Sequence, residues 1–364
     1  MVHSLDVVVI GAGVTGLAIA LEAQQNGRRV LLLDDAKAHQ ASAAAAGMIA
    51  PLLEALTDAP AADQLDRLAD AARFWPSFAD RHGLVLNRRG GLWLTSAKGA
   101  DALAGLHQTF RARGVGFAEQ TRAQVADLAP WVDPTGFEVL LHATSDCAVS
   151  PAAVLPQMRR RFRDLGGTLQ IAKVRAHAGD LILDGKPLQA EAVVIAAGYP
   201  GRRLSPVATE LERLRPIRGQ IAVLEAPDGG PISGPFVRAH GVYVAPQTGG
   251  GVKIGATMEE GEDQALCDAA AISDLVRRAA TFTPLLRAPD IASHLRAEVG
   301  VRAATPDQLP LIGPSRRAGI YLACGMRRNG WLFAPLAAEG IGAYLAGAEP
   351  ATGLGHFDPR RMDA

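Results

Sequence analysis

The feature that most limits what this chain can fold into is its first 34 residues, which pack a strand, a glycine turn, a helix and a second strand into one continuous unit. Asp6-Val-Val-Val-Ile10 is a β-branched run of strand length, and Gly11-Ala-Gly13-Val-Thr-Gly16 follows it directly. Leu17-Ala-Ile-Ala-Leu-Glu-Ala23 then has helical spacing, and a second apolar run, Val30-Leu-Leu-Leu33, ends on Asp34. Each part has a mechanical role. Gly11 permits the tight turn from strand to helix, Gly13 lets the backbone approach a pyrophosphate, and Gly16 allows the helix to pack closely on the sheet. Phosphates would sit at the positive end of the helix, with Asp34 accepting from ribose hydroxyls. A lone glycine triplet is weak, but here strand, helix and acidic residue stand in order.

The totals narrow the class. A length of 364 residues predicts two domains sharing an interface. Hydrophobic content of 48% with 20% charged residues describes a well-cored protein rather than a disordered one. Thirty-seven basic residues balance 37 acidic ones, so no global field argues for nucleic acid or an anionic membrane. Cys147, Cys267 and Cys324 are odd in number and far apart, with no metal-like spacing, which fits a reducing, cytoplasmic setting. The apolar N-terminus lacks the basic start of a signal peptide, and no stretch reaches the ~18 apolar residues of a membrane span.

Further along, Ala41-Ser-Ala-Ala-Ala-Ala-Gly47-Met48 is too small-residued to fill a core, and its expected use is close backbone approach to a ligand. Residues 61–81 and 98–113 read as amphipathic helices, with Gly90-Gly-Leu-Trp-Leu-Thr95 a strand between them. Ser150-Pro151 starts a helix, Ser as cap and Pro at the first helical position, and Gly166-Gly167 stops it. Arg159, Arg160, Arg161 and Arg163 on that helix read as a solvated face. A strand over 168–175 and a hairpin at Asp184-Gly185 follow. Glu191-Ala-Val-Val-Ile-Ala-Ala-Gly198 is a second buried strand ending in glycine. From about 215 the texture changes to short β-rich segments, 220–225, 241–245 and 251–256, then a helix over 269–282 and a strand over 294–301. Gly319-Ile-Tyr-Leu-Ala-Cys-Gly325 and a helix over 331–345 repeat strand, glycine loop and helix. The cofactor unit is therefore expected to be discontinuous, with an insertion covering the reactive end of the ligand.

Together, Gly11-Ala-Gly-Val-Thr-Gly16, Asp34, Ser42-Ala-Ala-Ala-Ala-Gly-Met48, Val193-Val-Ile-Ala-Ala-Gly198, Thr305-Pro-Asp-Gln-Leu-Pro-Leu-Ile-Gly313 and Arg328-Asn-Gly330 resemble the D-amino-acid oxidase superfamily of FAD enzymes. Within it the chain looks most like the glycine oxidases, the amine oxidases of thiamine biosynthesis. The resemblance spans nearly the whole chain. It implies an α/β fold, with a Rossmann-like FAD-binding domain of the glutathione-reductase type and an inserted mixed-sheet α+β substrate domain. The expected division is 1–80, 145–213 and 303–364 for FAD, and 81–144 with 214–302 for substrate. By carry-over, FAD would contact Gly11, Gly13, Val14, Thr15, Gly16, Asp34, Asp35, Ala41, Ser42, Ala46, Gly47, Met48, Val174 and Gly198. The stretch Met326, Arg327, Arg328, Asn329, Gly330, Trp331 and Leu332 would complete that site. Substrate carboxylate would be held by Arg302, with Arg328 and Tyr243 beside it.

These residue types suit oxidation of an amine. Arg302 can grip a carboxylate bidentately, which a lysine cannot do. Tyr243 alternates with Val242 and Val244 in its strand and can add a hydroxyl donor. A helix starting near Asn329-Gly-Trp331 would aim its positive end at the reduced flavin ring. The imine product would hydrolyse to an oxo acid and ammonia, and oxygen would be the electron acceptor, giving hydrogen peroxide. The chain also departs from the pattern. Met326 and Arg327 stand where glycine oxidases commonly carry a histidine and an aromatic, and Gly241 replaces another histidine, which puts strict glycine preference in doubt. Lys253 falls where sarcosine-oxidase relatives place an oxygen-activating lysine; an exposed strand lysine is the bland alternative. Residues 298–302 contain no cysteine, so FAD is expected to be noncovalent. His240 and His294 read as structural. Competing expectations are a D-amino-acid or N-methyl-amino-acid dehydrogenase with another acceptor, an FAD subunit active only in an assembly, and least favoured an NAD-dependent dehydrogenase. Homo-oligomerisation stays open.

Overall fold

Two sheets organise the chain, and each draws its strands from separate stretches of sequence. The structure is a computed structural model that describes residues 5–36, 41–56, 62–96, 115–226, 231–289, 291–350 and 354–362. The first sheet has six strands in the order Leu311–Pro314, Ile320–Cys324, Ala192–Ile195, Val7–Ile10, Val30–Asp34 and Thr168–Ile171. All pair in parallel except the edge strand Leu311–Pro314, which runs antiparallel to its neighbour. Such a sheet needs cover on both faces, and its strands are accordingly apolar throughout. Val7 and Val9 point to a core shared with the helices Val14–Gln25, Pro151–Asp164 and Gly330–Leu345. Val8 and Ile10 point the other way, into a core shared with Leu181, Leu204 and Leu211.

The second sheet has nine strands and is mainly antiparallel. Its backbone is the ten-residue pair Arg215–Leu224 and Leu295–Ala304, aligned residue for residue from Arg215 opposite Ala304 to Leu224 opposite Leu295. Strands Val252–Gly255, Val242–Pro246, Phe236–Ala239, Gly91–Thr95, Val139–Ala143 and Phe117–Glu119 continue it outward. Period-2 alternation assigns its faces. Leu92, Leu94, Ala222, Val242 and Val244 pack under the helix Ala269–Ala279 in a separate apolar core. The register puts Arg302, Gly300, Glu298, Gly219, Lys253, Gly255, Tyr243 and Arg238 on the opposite face, toward the six-stranded sheet.

Several expectations need correction. The single helix over 61–81 is two helices, Ala62–Ala72 and Trp75–His82, broken where Pro76 enters the first turn of the second. The strand over 168–175 stops at Ile171, and Arg175–His177 instead joins a three-stranded antiparallel sheet with Asp180–Leu183 and Lys186–Pro187. The hairpin is present, with both Asp184 and Gly185 at positive φ as a primed two-residue turn requires. Pro151 does open its helix after Ser150, but the Ser150 side chain makes no capping bond. The helix expected over 98–113 lies outside the described residues.

Candidate active site

A cavity of about 320 Å³ runs between the two sheets, and nearly every motif picked out above lines it. At one end is the first glycine turn. Gly11 adopts φ +107, in the region where a side chain is strained, and a Cβ there would stand 2.6 Å from the carbonyl oxygen of Ala196. A Cβ on Gly16 would stand 1.8 Å from the Gly11 carbonyl oxygen, so the third glycine is what lets the helix sit on the turn. The Val14 amide donates to Ser42 Oγ at 3.0 Å, tying the helix start to the alanine-rich loop. Gly47 holds that loop in place: its φ is +75, and a Cβ would meet the Val149 carbonyl oxygen at 2.1 Å.

Asp34 closes the end of its strand on the cavity wall, and burial pushes its carboxyl above the usual range. A smaller recess next to it is lined by Asp34, Asp35, Val174, Ala172 and Arg203 and shares Gly11 and Ala197 with the main cavity. Val174 therefore stands apart from the main cavity, around the corner from Asp34. Gly13, Val14, Thr15, Ala41, Ser42, Ala46, Gly47, Met48 and Gly198 all line the main cavity. Gly16 and Leu332 do not; they pack beneath it. At the far side, Met326, Arg327, Arg328, Asn329, Gly330 and Trp331 line the wall where the helix Gly330–Leu345 begins. Trp331 Nε1 donates to the Ser42 carbonyl at 3.1 Å, and Trp75 Nε1 donates to the Trp331 carbonyl at 2.9 Å. Two helix starts thus converge on one crevice. These residues fit an extended dinucleotide: a glycine cradle, a desolvated carboxyl awaiting hydroxyl donors, and positive helix ends.

The other end of the cavity is a cluster of charge. Arg302 lies flat against Gly219, where a Cβ would stand 2.2 Å from Nη2. Its Nη1 donates to the Thr257 carbonyl at 3.1 Å and contacts Met258 Sδ at 3.2 Å, and its remaining nitrogens have no protein partner among the described residues. Burial lowers its pKa, and the neighbouring Arg328 and Arg327 act in the same direction. Tyr243 is in the same field: burial raises its hydroxyl to about 12, partly offset by Arg302 and Arg238. The Tyr243 hydroxyl rests over Gly255, its cross-strand partner, where a Cβ would come within 2.5 Å.

Arg328 faces the cavity but is engaged. Its Nε stands 2.5 Å from Glu54 Oε2, and Arg238 Nη2 donates to Glu54 Oε1 at 2.7 Å. Glu54 is carried on the short helix Pro51–Ala55, whose start is fixed by Asp146 accepting from the Leu52 and Leu53 amides at 3.2 Å each. Glu54 and Arg238 both line the cavity, and nothing local in the sequence marks either one.

Two assignments change. Lys253 is neither an exposed strand lysine nor a cavity-facing cation. It is 3% exposed, and its ammonium donates to the carbonyls of Ala43 and Ala45 at 2.7 and 3.0 Å and to Glu298 at 2.6 Å. Three donors meet three acceptors, so the charge is spent on holding the alanine-rich loop. Arg159 does not belong to a solvated face: it lines the cavity, reaches the Ala12 carbonyl at 3.4 Å and draws the Asp34 carboxyl downward. Sequence reasoning missed it because it stands in a run with the exposed Arg160 beside it and the exposed Arg163 one turn further on. His240 packs against Phe137 and Phe282, as a structural residue would.

Comparison with known proteins agrees with this geometry. The family of FAD dependent oxidoreductases, DAO, matches residues 6–344. A glycine oxidase of Geobacillus kaustophilus (strain HTA426) is 29% identical, covering 99% of this chain and 98% of that protein. The crystal structure of glycine oxidase from Geobacillus kaustophilus superposes with a TM-score of 0.84 at 26% identity, covering 99% of both chains. The tRNA 5-methylaminomethyl-2-thiouridine biosynthesis bifunctional protein MnmC of Caulobacter sp. (strain K31) is 32% identical over 93% of this chain, which spans only 54% of it.

Proposed function

The chain belongs to the DAO family of FAD dependent oxidoreductases, and on that premise we propose that it oxidises a small amino acid at the carbon bearing the amine. The observation that carries the reading is the Arg302 fork, open to the same cavity that the glycine turn and Asp34 line. Noncovalently bound FAD supplies the acceptor for a hydride from the substrate Cα; loss of an amine proton completes an imine, which water hydrolyses to an oxo acid and ammonia. Oxygen is the proposed final acceptor. The six-stranded layer is the proposed cofactor domain and the nine-stranded layer the substrate domain, with the boundaries given above.

The chain's own work is positioning. Arg302 holds the substrate carboxylate through its unoccupied nitrogens, and Gly219 gives the guanidinium its flat seat. Tyr243 stays protonated through the working pH range and donates to the same carboxylate. The fixed carboxylate turns Cα toward the cofactor wall formed by Met48 and the start of the Gly330–Leu345 helix. Glu54, the carboxylate among the described residues that line the substrate end, is already paired with Arg238 and Arg328 and is not poised as a base. The amine must therefore lose its proton before transfer, and a dry pocket rich in guanidinium lowers its pKa.

The test is anaerobic bleaching of the bound flavin by glycine, sarcosine and D-alanine, followed by air. Bleaching and recovery with one of them supports the oxidase. Bleaching without recovery in air moves the acceptor to a quinone or carrier. No bleaching by any of the three removes the small-amino-acid reading.

A further inference from the structure

We propose that Met258 is a modification site: hydrogen peroxide converts its thioether to the sulfoxide, and the new oxygen competes with the substrate carboxylate for Arg302. The competition at Arg302 rests on the amino-acid reading above; the oxidation itself does not.

Access is the first argument. Met258 is 38% exposed and lines the main cavity. Among the described residues the other methionines are better covered: Met158 is fully buried, Met326 and Met362 nearly so, and Met48 is half-buried. Oxidation of sulfur follows exposure, so Met258 is the first of them that a small oxidant meets. Hydrogen peroxide, the co-product of the proposed oxidation, would form in the same cavity. In the step a sulfur lone pair attacks one peroxide oxygen. The O–O bond breaks as the S–O bond forms, and the departing hydroxide takes up the proton of the transferred oxygen. Sulfur is oxidised by two electrons, and the peroxide is reduced to water.

The second argument is what the sulfur touches. Arg302 Nη1 donates to the Thr257 carbonyl at 3.1 Å and meets Met258 Sδ at 3.2 Å, so both of its hydrogens are engaged. A thioether is a weak acceptor, and a substrate carboxylate displaces it at little cost. A sulfoxide oxygen is strongly polar and does not yield so easily. Neither partner can retreat. The guanidinium lies against Gly219, where a Cβ would stand 2.2 Å from Nη2. The backbone before Met258 is clamped to the central strand, with the Thr257 amide donating to the Gln220 carbonyl at 3.1 Å and the Gln220 amide to Thr257 Oγ1 at 2.9 Å. After it, Glu259 accepts from Arg218 Nε at 2.6 Å. Only the unbranched Met258 side chain is left to turn, and a small rotation lays its oxygen on the fork. The carboxylate then loses one arm of its grip while the cofactor wall is untouched.

The experiment treats the FAD-loaded enzyme with graded hydrogen peroxide, removes the excess with catalase, and divides each sample. Peptide mass mapping of one part should show the added oxygen at Met258 before Met48, Met158, Met326 or Met362. Anaerobic flavin reduction by the amino acid that bleaches the untreated enzyme is followed in the other. Its KM should rise at least tenfold in step with Met258 oxidation, with the limiting rate changed by less than about twofold. The two methionine sulfoxide reductases, one for each epimer, should restore KM. In Met258→Leu, whatever its starting KM, the same treatment should cause no further rise. Oxidation of the other methionines ahead of Met258, or a Met258 sulfoxide with unchanged KM, overturns the inference. So does a rise that the reductases leave in place or that recurs in Met258→Leu, since the damage then lies elsewhere. Acetate, which is not oxidised, separates this from the amino-acid reading through its perturbation of the flavin spectrum. If no amine reduces the flavin but acetate binds at least tenfold more weakly after Met258 is oxidised, the amino-acid reading fails and the modification site stands.

Discussion

Arg302 shows how much of a site can depend on what a neighbour lacks. Its guanidinium is seated on Gly219, held by Thr257 and Met258, and left with free donors toward the cavity. Arg302→Lys keeps the charge and loses the fork, so KM for the amino-acid substrate should rise roughly 100-fold, about 2.7 kcal/mol, with FAD content unchanged. Gly219→Ala should move KM in the same direction, because its Cβ would occupy the place of Nη2; a normal KM in that variant would mean that the guanidinium has another productive seat. Lys253 makes the opposite point, since its side chain matters for what it already holds. Lys253→Met strips a charged donor from the Ala43 and Ala45 carbonyls and leaves Glu298 with Arg296 alone. Bonds to a charged donor contribute about 1.5–3 kcal/mol each, so the Kd for FAD should rise by roughly tenfold or more. Titration of apoprotein with FAD checks this. A variant that binds FAD normally but reoxidises slowly would restore the role in oxygen activation expected from sequence.

Elements, more than single residues, decide what the sequence can announce. The strand–turn–helix unit over Val7–Ile10 and Val14–Gln25 was legible because its glycines, apolar runs and acidic end are local. The alternating strands were legible as well, within a few residues. The short helix Pro51–Ala55 was not, and it carries Glu54 into the cavity. Its start depends on Asp146, 94 residues away from Leu52, and no local window contains that pairing. The cap has a measurable signature. Burial raises the Asp146 carboxyl to about 7 against its ordinary 3.8, and Glu54 adds to the shift. The folded state then binds a proton that the unfolded chain has already released, so this group's contribution to stability falls as pH rises from about 4 to about 7. Complete expression of the shift would be on the order of 4 kcal/mol. Asp146→Asn should be less sensitive to pH over that window, seen as a flatter curve of melting temperature between pH 5 and 8. Parallel curves for the two proteins would mean that another group sets the slope.

At the scale of the molecule, the cavity is an interface, and this is why the glycine motifs pointed to it while Arg159, Arg238 and Gly300 stayed silent. The motifs describe one sheet; the partners come from register between strands hundreds of residues apart. Gly300 illustrates this. It lies in the second sheet, yet a Cβ there would stand 2.8 Å from Cα of Ala41 in the loop of the first. Loop, strand and lysine thus join the two layers at the place where FAD would lie. A ligand bound across such a seam should order both sides of it, since anything that binds only the folded state stabilises what it touches, by about 2.7 kcal/mol at a concentration 100 times its dissociation constant. Hydrogen exchange of apoprotein and FAD-loaded protein can read the distribution of that effect. Protection is expected at Val7–Ile10 and the start of Val14–Gln25, and equally along Leu295–Ala304, although that strand contributes nothing to the dinucleotide sheet. In Lys253→Met the second part should shrink while the first persists, because the tie between loop and strand is cut and the glycine turn is untouched. Protection confined to the six-stranded sheet in the unaltered protein would show instead that the layers respond separately, and that the substrate end is ordered by the substrate rather than by the cofactor.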